Sequence, residues 1–123
     1  MAWELDSKQS IYGQLVEVLL RRIITGIYPA GAKLDSVRDL AQEAGVNPNT
    51  MQRALSELER TGIINTQRTS GKYVTEDKEM IEGIRENLAK DLIRKLLQDM
   101  KELGFEKSDV EKMMKNDNKE ETA

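Results

Sequence analysis

The 123-residue sequence predicts a mainly α fold with one small β-hairpin, arranged as a compact head followed by a helical arm. Three observations predict it. Apolar residues recur at helical spacing in three short segments before residue 62, each closed by a glycine. β-forming residues then flank a polar turn. From residue 76 onward, one long amphipathic stripe replaces both patterns.

The first helix lies in "SIYGQLVEVLLRRIITG", where Ile11, Leu15, Val18, Leu19 and Ile23 share a face and Gly26 supplies a left-handed stop. "YPAGAKL" reads as a turn punctuated by Pro29 and Gly31. In "DSVRDLAQEAG", Ser36 can cap a second helix with Val37, Leu40, Ala41 and Ala44 on its apolar face. Only Val46 and Asn47 separate Gly45 from Pro48. Asn47 is a good cap, and Pro48 suits the first helical position, where its missing N–H costs nothing. The third helix turns Met51, Ala54, Leu55 and Leu58 inward. At about 100° per residue, Asn49, Gln52, Arg53, Ser56 and Arg60 fall on the opposite face. Residues 63–67 and 72–75 read as strands around the turn "RTSG". Three short helices and a hairpin wing make a winged helix-turn-helix head over residues 1–75.

In the arm, Ile84, Leu88, Leu92, Leu96, Met100 and Leu103 recur at spacings of four and three, widened by Ile81, Ile93 and Leu97. The stripe is too long for the head alone to cover. Residues 76–115 are therefore expected to form a helical dimerisation arm, with Ile84, Leu88, Leu92, Leu96 and Met100 at the interface. Gly104 breaks the long helix, and Ser108 with Glu111 reads as a capping box for a short last helix. Residues 116–123 are polar and expected to be disordered.

Composition removes several classes of function. The chain has no cysteine and no histidine, so disulfides, thiolate catalysis and the commonest metal ligands and general base are excluded. No glycine-rich phosphate loop is present. An enzyme is therefore not expected, nor a metal or other cofactor. No apolar run reaches the length of a membrane span, and the first ten residues lack the features of a signal peptide, so a cytoplasmic location is expected. Net charge is −3, against the usual basic character of a nucleic-acid binder. The excess is local: residues 1–75 hold nine basic and eight acidic side chains, while 76–123 hold ten and fourteen.

The polar first turn of the third helix raises the functional question. Asn47-Pro48 alone is ordinary helix-start chemistry. Asn49, Gln52, Arg53 and Ser56, however, can hydrogen-bond base edges or phosphates, and no acid interrupts that quartet. In helix-turn-helix proteins this part of the second motif helix makes the base contacts. Here "SVRDLAQEAGVNPNTMQRALSELERTGII", followed by "TSGKYV", resembles the DNA-binding domain of GntR-type bacterial transcription regulators, and "SIYGQL" resembles that family's first-helix signature. The match covers roughly residues 8–75. The short helical tail resembles the family's YtrA-like branch, whose C-terminal region is a dimerisation arm rather than a large ligand-binding domain.

The resemblance implies a DNA-facing set: Ser36 and Arg38 on the second helix, Asn47, Asn49, Thr50, Gln52 and Arg53 on the third, and Arg68, Ser70 and Gly71 at the wing tip. It also implies control of a nearby transport operon. Where the family has Leu-Pro-Ser, this chain has Leu34-Asp35-Ser36, which puts a carboxylate near the expected phosphate path. Where it has Arg-Gly-x-Gly, this chain has Arg68-Thr69-Ser70-Gly71, with Thr69 removing a flexible residue.

The sequence is thus expected to encode a homodimeric transcription regulator, a repressor acting on an inverted-repeat operator in double-stranded DNA. Any small-molecule effector remains unidentified. The rival reading is a winged-helix protein-interaction adaptor that does not bind DNA, which the acidic pI favours and the acid-free first turn of the third helix disfavours. For Arg38 the alternative role is a pair with Asp39 or with a neighbouring helix, and Trp3 and Tyr12 are expected to be packing residues.

Overall fold

The computed structural model describes residues 3–68 and 70–122, with side-chain surroundings through residue 117. Five helices and one hairpin follow in the order α1 (Ile11–Ile24), α2 (Val37–Ala44), α3 (Pro48–Thr61), β1 (Ile64–Gln67), β2 (Gly71–Val74), α4 (Lys78–Glu102) and α5 (Lys107–Thr122). They divide into one compact unit ending at Ile84 and a second beginning at Arg85.

The first unit is organised by α3, which packs against both α1 and α2. Met51, Ala54, Leu55 and Leu58 line its inner side and are buried. They meet Leu15, Leu19 and Ile23 from α1, Leu40 and Ala41 from α2, and Ile63, Ile64 and Val74 around the hairpin. Each fully buried Leu, Ile, Val or Met side chain among them stabilises the head by roughly 1.5–3 kcal/mol relative to an exposed one. Ser10 caps α1 by accepting from the Gly13 N–H. Ser36 caps α2 and accepts from the Asp39 N–H at 3.1 Å. The turn between α2 and α3 depends on Gly45, whose φ of 71° lies in the left-handed region that glycine enters without penalty. The Val46 N–H closes the turn onto the Ala41 carbonyl at 3.0 Å.

The hairpin is antiparallel, pairing Ile64 with Val74 and Gln67 with Gly71. A further edge joins it. Residues 32–34, expected as part of a turn, lie beside β2: Leu34 N–H donates to the Lys72 carbonyl and Val74 N–H to the Ala32 carbonyl, both at 2.9 Å. This pairing is non-local, so no local pattern announces it.

Arg22 is a second departure from the sequence pattern. It sits at the end of α1 in an apparently solvated Arg-Arg pair, yet it is only 6% exposed. Its guanidinium carbon lies 4.4 Å from the centroid of the Trp3 ring. Its Nη1 donates to the Tyr28 hydroxyl at 2.6 Å and pairs with Glu43 at 3.3 Å. The cation is thus desolvated but engaged by a ring, a hydroxyl and a carboxylate, and it ties residues preceding α1 to α1 and α2.

Helix α4 begins within the first unit. Asp77 caps it by accepting from the Met80 N–H at 3.0 Å. Met80, Ile81 and Ile84 pack on the head core. The head therefore extends past residue 75 to Ile84, and Ile84, expected at the dimer interface, is partly covered by its own head.

In the second unit, α4 has no buried residue. Leu92 is 58% exposed and Leu103 71%, with Ile93 and Leu96 also exposed. Leu88 and Met100 are half-buried. Gly104 terminates α4 as expected, and the Phe105 N–H closes onto the Met100 carbonyl at 3.0 Å. The capping of α5 differs from the expected Ser108–Glu111 box. The Asp109 carboxylate accepts from the Glu106 N–H at 2.9 Å, so the reciprocal partner is Asp109 and Ser108 already lies inside the helix. Helix α5 continues to Thr122, through residues assigned by composition to a disordered tail. The lysine and glutamate residues there are good helix formers.

Candidate nucleic-acid interface

The burial of α3's inner side fixes which residues it turns outward. Asn49, Gln52, Arg53 and Ser56 are all exposed. Asn47 caps the helix, its side-chain oxygen accepting from the Asn49 N–H at 2.7 Å. Gln52 Nε2 donates to the Ser56 hydroxyl at 3.1 Å, a contact that aligns two polar groups one turn apart. Thr50 departs from this face. It is half-buried and lines a shallow groove with Trp3, Ile11 and Ala44, on the flank toward α1.

Two further elements border the first. Ser36, Asp35 and Asp39 at the start of α2 share an open groove of about 500 Å³ with Lys33, Ser70, Gly71 and Lys72 at the wing. The structure thus brings Ser36 together with the wing residues Ser70 and Gly71. Arg38 is exposed on α2 and has no hydrogen bond or ion pair with a described residue; the alternative pairing with Asp39 is not formed. At the wing, Ser70 N–H donates to the Gln67 carbonyl at 3.2 Å, closing the turn. Gly71 has φ 113°, which favours glycine, and a Cβ there would come within 3.4 Å of Lys33 Cε. Arg68 is exposed. Thr69 lies outside the described residues.

The pairing of charges resolves the low net charge. Of the head's acids, Glu17 pairs with Arg21, Glu43 with Arg22, Glu57 with Arg60 and Glu59 with Lys72. Lys33, Arg38, Arg53 and Arg68 are in no ion pair with a described residue. These four acids thus neutralise cations away from Lys33, Arg38, Arg53 and Arg68, whereas Asp35 and Asp39 stand without an ion pair to a described residue in the groove beside Lys33. Lys72 does not join the unpaired cations. It is held by Glu59 of α3 and Thr66 of β1.

These pairs also set local acidity. The Arg60 hydrogen bond holds the Glu57 carboxyl below the usual glutamate value, and Glu57 in turn raises Arg60. For Glu59, burial pushes the carboxyl up, but hydrogen bonds from Lys72 and Thr66 and the charge of Lys72 outweigh it and hold it low. The sequence reading missed Lys33 as a free cation beside the wing. Its signal was available only through the pairing of residues 32–34 with β2.

A helix-turn-helix whose second helix turns a polar, acid-free side outward, flanked by a hairpin, defines a winged-helix DNA-binding regulator. The family model for bacterial regulatory proteins of the gntR family matches residues 11–74. The uncharacterized HTH-type transcriptional regulator YhcF of Bacillus subtilis (strain 168) is 35% identical over 107 residues, covering 87% of this chain and 88% of that protein. The HTH-type transcriptional repressor YtrA of the same organism is 36% identical over 107 residues, covering 84% of this chain and 82% of its own length. A solved GntR family transcriptional regulator from Listeria monocytogenes superposes with a TM-score of 0.87 at 45% identity, covering 91% of this chain and 98% of that one. The chain belongs to the GntR family of bacterial transcription regulators. Among the described residues, no helix is long and apolar enough to cross a membrane, and no cluster of acids could hold a metal ion.

Proposed function

We propose that the protein is a cytoplasmic transcription repressor that binds an inverted-repeat operator in double-stranded DNA as a homodimer. One observation carries the DNA-binding part. The outer side of α3, the start of α2 and the wing hold exposed polar side chains and the cations Arg53, Arg38 and Arg68, none of them in an ion pair with a described residue, while Glu17, Glu43, Glu57 and Glu59 are paired with cations elsewhere on the head. In this reading Gln52 and Asn49 contact base edges, Asn47, Ser36 and Arg38 contact phosphates, and Arg68, Ser70 and Gly71 approach the minor groove. Thr50 touches the backbone from the flank of α3. The repressor role rests on similarity to the HTH-type transcriptional repressor YtrA.

The homodimer rests on the exposed apolar side chains Leu92 and Leu96, with Leu88 and Met100 beside them. An apolar stripe of this kind is stabilised by pairing with a second copy. Two heads on one duplex place their recognition helices about 34 Å apart for half-sites one turn apart, which makes the operator an inverted repeat. A small effector would then bind between subunits or against the head, since the described grooves of the head are open.

A mobility shift with the DNA upstream of the protein's own gene tests this. The expected result is one salt-sensitive complex containing two protomers per site. Absence of any shift, with the protein pulling down another protein through α3 or the wing, would establish the adaptor reading instead.

A further inference from the structure

We infer that Tyr12 is a positioning residue for Arg53, and that the two form a pre-set clamp for a backbone phosphate rather than a base reader. The inference rests on the DNA-binding reading above. The Arg53 guanidinium carbon lies 4.7 Å from the centroid of the Tyr12 ring. Tyr12 is half-buried in the first turn of α1, so its ring is held by the fold. Arg53 is exposed on α3.

A guanidinium held through its face keeps its N–H donors free, because they lie in its plane and point outward from its edge. Arg53 has no hydrogen bond or ion pair with a described residue. An ordinary partner stands one turn away on the same helix: Glu57, at i+4. Glu57 is engaged instead by Arg60, through hydrogen bonds of 2.6 and 3.0 Å. Arg53 is therefore oriented without being neutralised. Free orientation is what a long side chain loses on binding, and the ring has already removed part of it.

The direction of the stack selects phosphate over base. Helices α1 and α3 pack together. A side chain of α3 that leans onto α1 points to the flank of the helix. Gln52 lies on the other side of the helix's outward face, away from the α1 flank, and is bonded to Ser56. At about 100° per residue, Gln52 and Arg53 diverge by about that angle. In major-groove docking the outward line of the recognition helix meets base edges, and its flanks run beside the sugar-phosphate strands. A planar fork with free edges matches two phosphate oxygens. Composition and spacing placed Arg53 among the base contacts and Tyr12 among packing residues, because neither reveals which neighbour an arginine leans on.

The test uses the full chain and its upstream operator DNA, with Arg53→Ala, Tyr12→Leu, Tyr12→Phe and the Tyr12→Leu/Arg53→Ala double variant. Arg53→Ala should weaken binding roughly tenfold or more, as for other charge-assisted contacts. It should do so equally across base substitutions in the half-site, with the slope of log affinity against log salt reduced by about 1. Tyr12→Leu should lose roughly three- to fivefold, Tyr12→Phe should bind like the parent, and the double variant should be no weaker than Arg53→Ala alone. Additive losses, unchanged affinity in Tyr12→Leu, or a loss confined to one base pair would overturn the clamp. Should Tyr12→Leu not fold, the parent decides by NMR. The Arg53 side-chain resonances should be shifted upfield by the Tyr12 ring, and their absence from that region also overturns it. If the parent itself binds no DNA, the regulator reading fails, whatever the Tyr12 variants show.

Discussion

The head and the arm spend their apolar residues in opposite ways. In the head, Leu15, Leu19, Leu55 and Ile63 are entirely covered by side chains of the same unit. In the arm, Leu92, Ile93, Leu96 and Leu103 stand in solvent although their spacing is as regular as that of α1. Helical periodicity therefore tells which residues share a face, and not whether the chain itself supplies what covers it. The head closes its core internally and leaves a polar surface to interact. The arm presents the apolar surface directly.

The sharpest way to break this contrast is a cavity in the head. Leu55→Ala removes a fully buried side chain at the centre of α3 and should cost about 2–5 kcal/mol of head stability, measured by denaturant unfolding. A smaller loss would mean that the head is looser than its burial indicates. The matching change in the arm is Leu92→Glu with Leu96→Glu. Head stability should stay within about 0.5 kcal/mol, since both positions are exposed in the chain. Light scattering should show conversion of a dimer to a monomer at micromolar concentration. Operator affinity should fall by roughly 10²-fold or more as the second head's effective concentration is lost. A dimer that survives both charges places the subunit interface elsewhere.

Between these lies the polar face. Gln52→Ala should cost roughly 1–3 kcal/mol of operator binding and relax preference at one base pair per half-site, with the melting temperature unchanged. Unfolding by this substitution would mean that the Gln52–Ser56 contact is structural. The smallest effect expected is on pH. Glu59 has its acidity strengthened in the folded state, so its stabilisation is complete above the ordinary glutamate value of 4.5 and disappears as pH falls below it. Thermal melts across that range should show the parent losing more stability than Glu59→Gln. Parallel curves would assign no weight to the Glu59–Lys72 tie between α3 and the wing.

Much of the head was legible because its signals are local. The caps Ser36 and Asn47, the stops at Gly45 and Gly62, and the inward set Met51, Ala54, Leu55 and Leu58 each depend on residues within one or two helical turns. The hairpin was read within a residue at each end. What escaped depends on distant partners. The pairing of residues 32–34 with β2, the burial of Arg22 and the capture of Lys72 by Glu59 all join residues that are far apart in sequence. In the candidate site, the outward face of α3 was visible from periodicity, whereas the stacking of Arg53 on Tyr12 was not. At the C-terminal end, polarity suggested disorder where α5 continues to Thr122, because low hydrophobicity removes burial without removing helix propensity.

The Arg22–Trp3 stack has an optical consequence. Trp3 is the sole tryptophan of the chain, and the three tyrosines, Tyr12, Tyr28 and Tyr73, also precede Ile84. Phe105 is the arm's only aromatic residue. Indole emission, from a ring with a cation 4.4 Å from its centroid, is thus a gauge of the head alone. The arm is silent to it and contributes to far-ultraviolet dichroism through its helices. Indole fluorescence would therefore follow the head, while dichroism follows the helices of both units, so a transition seen by dichroism alone would belong to the arm.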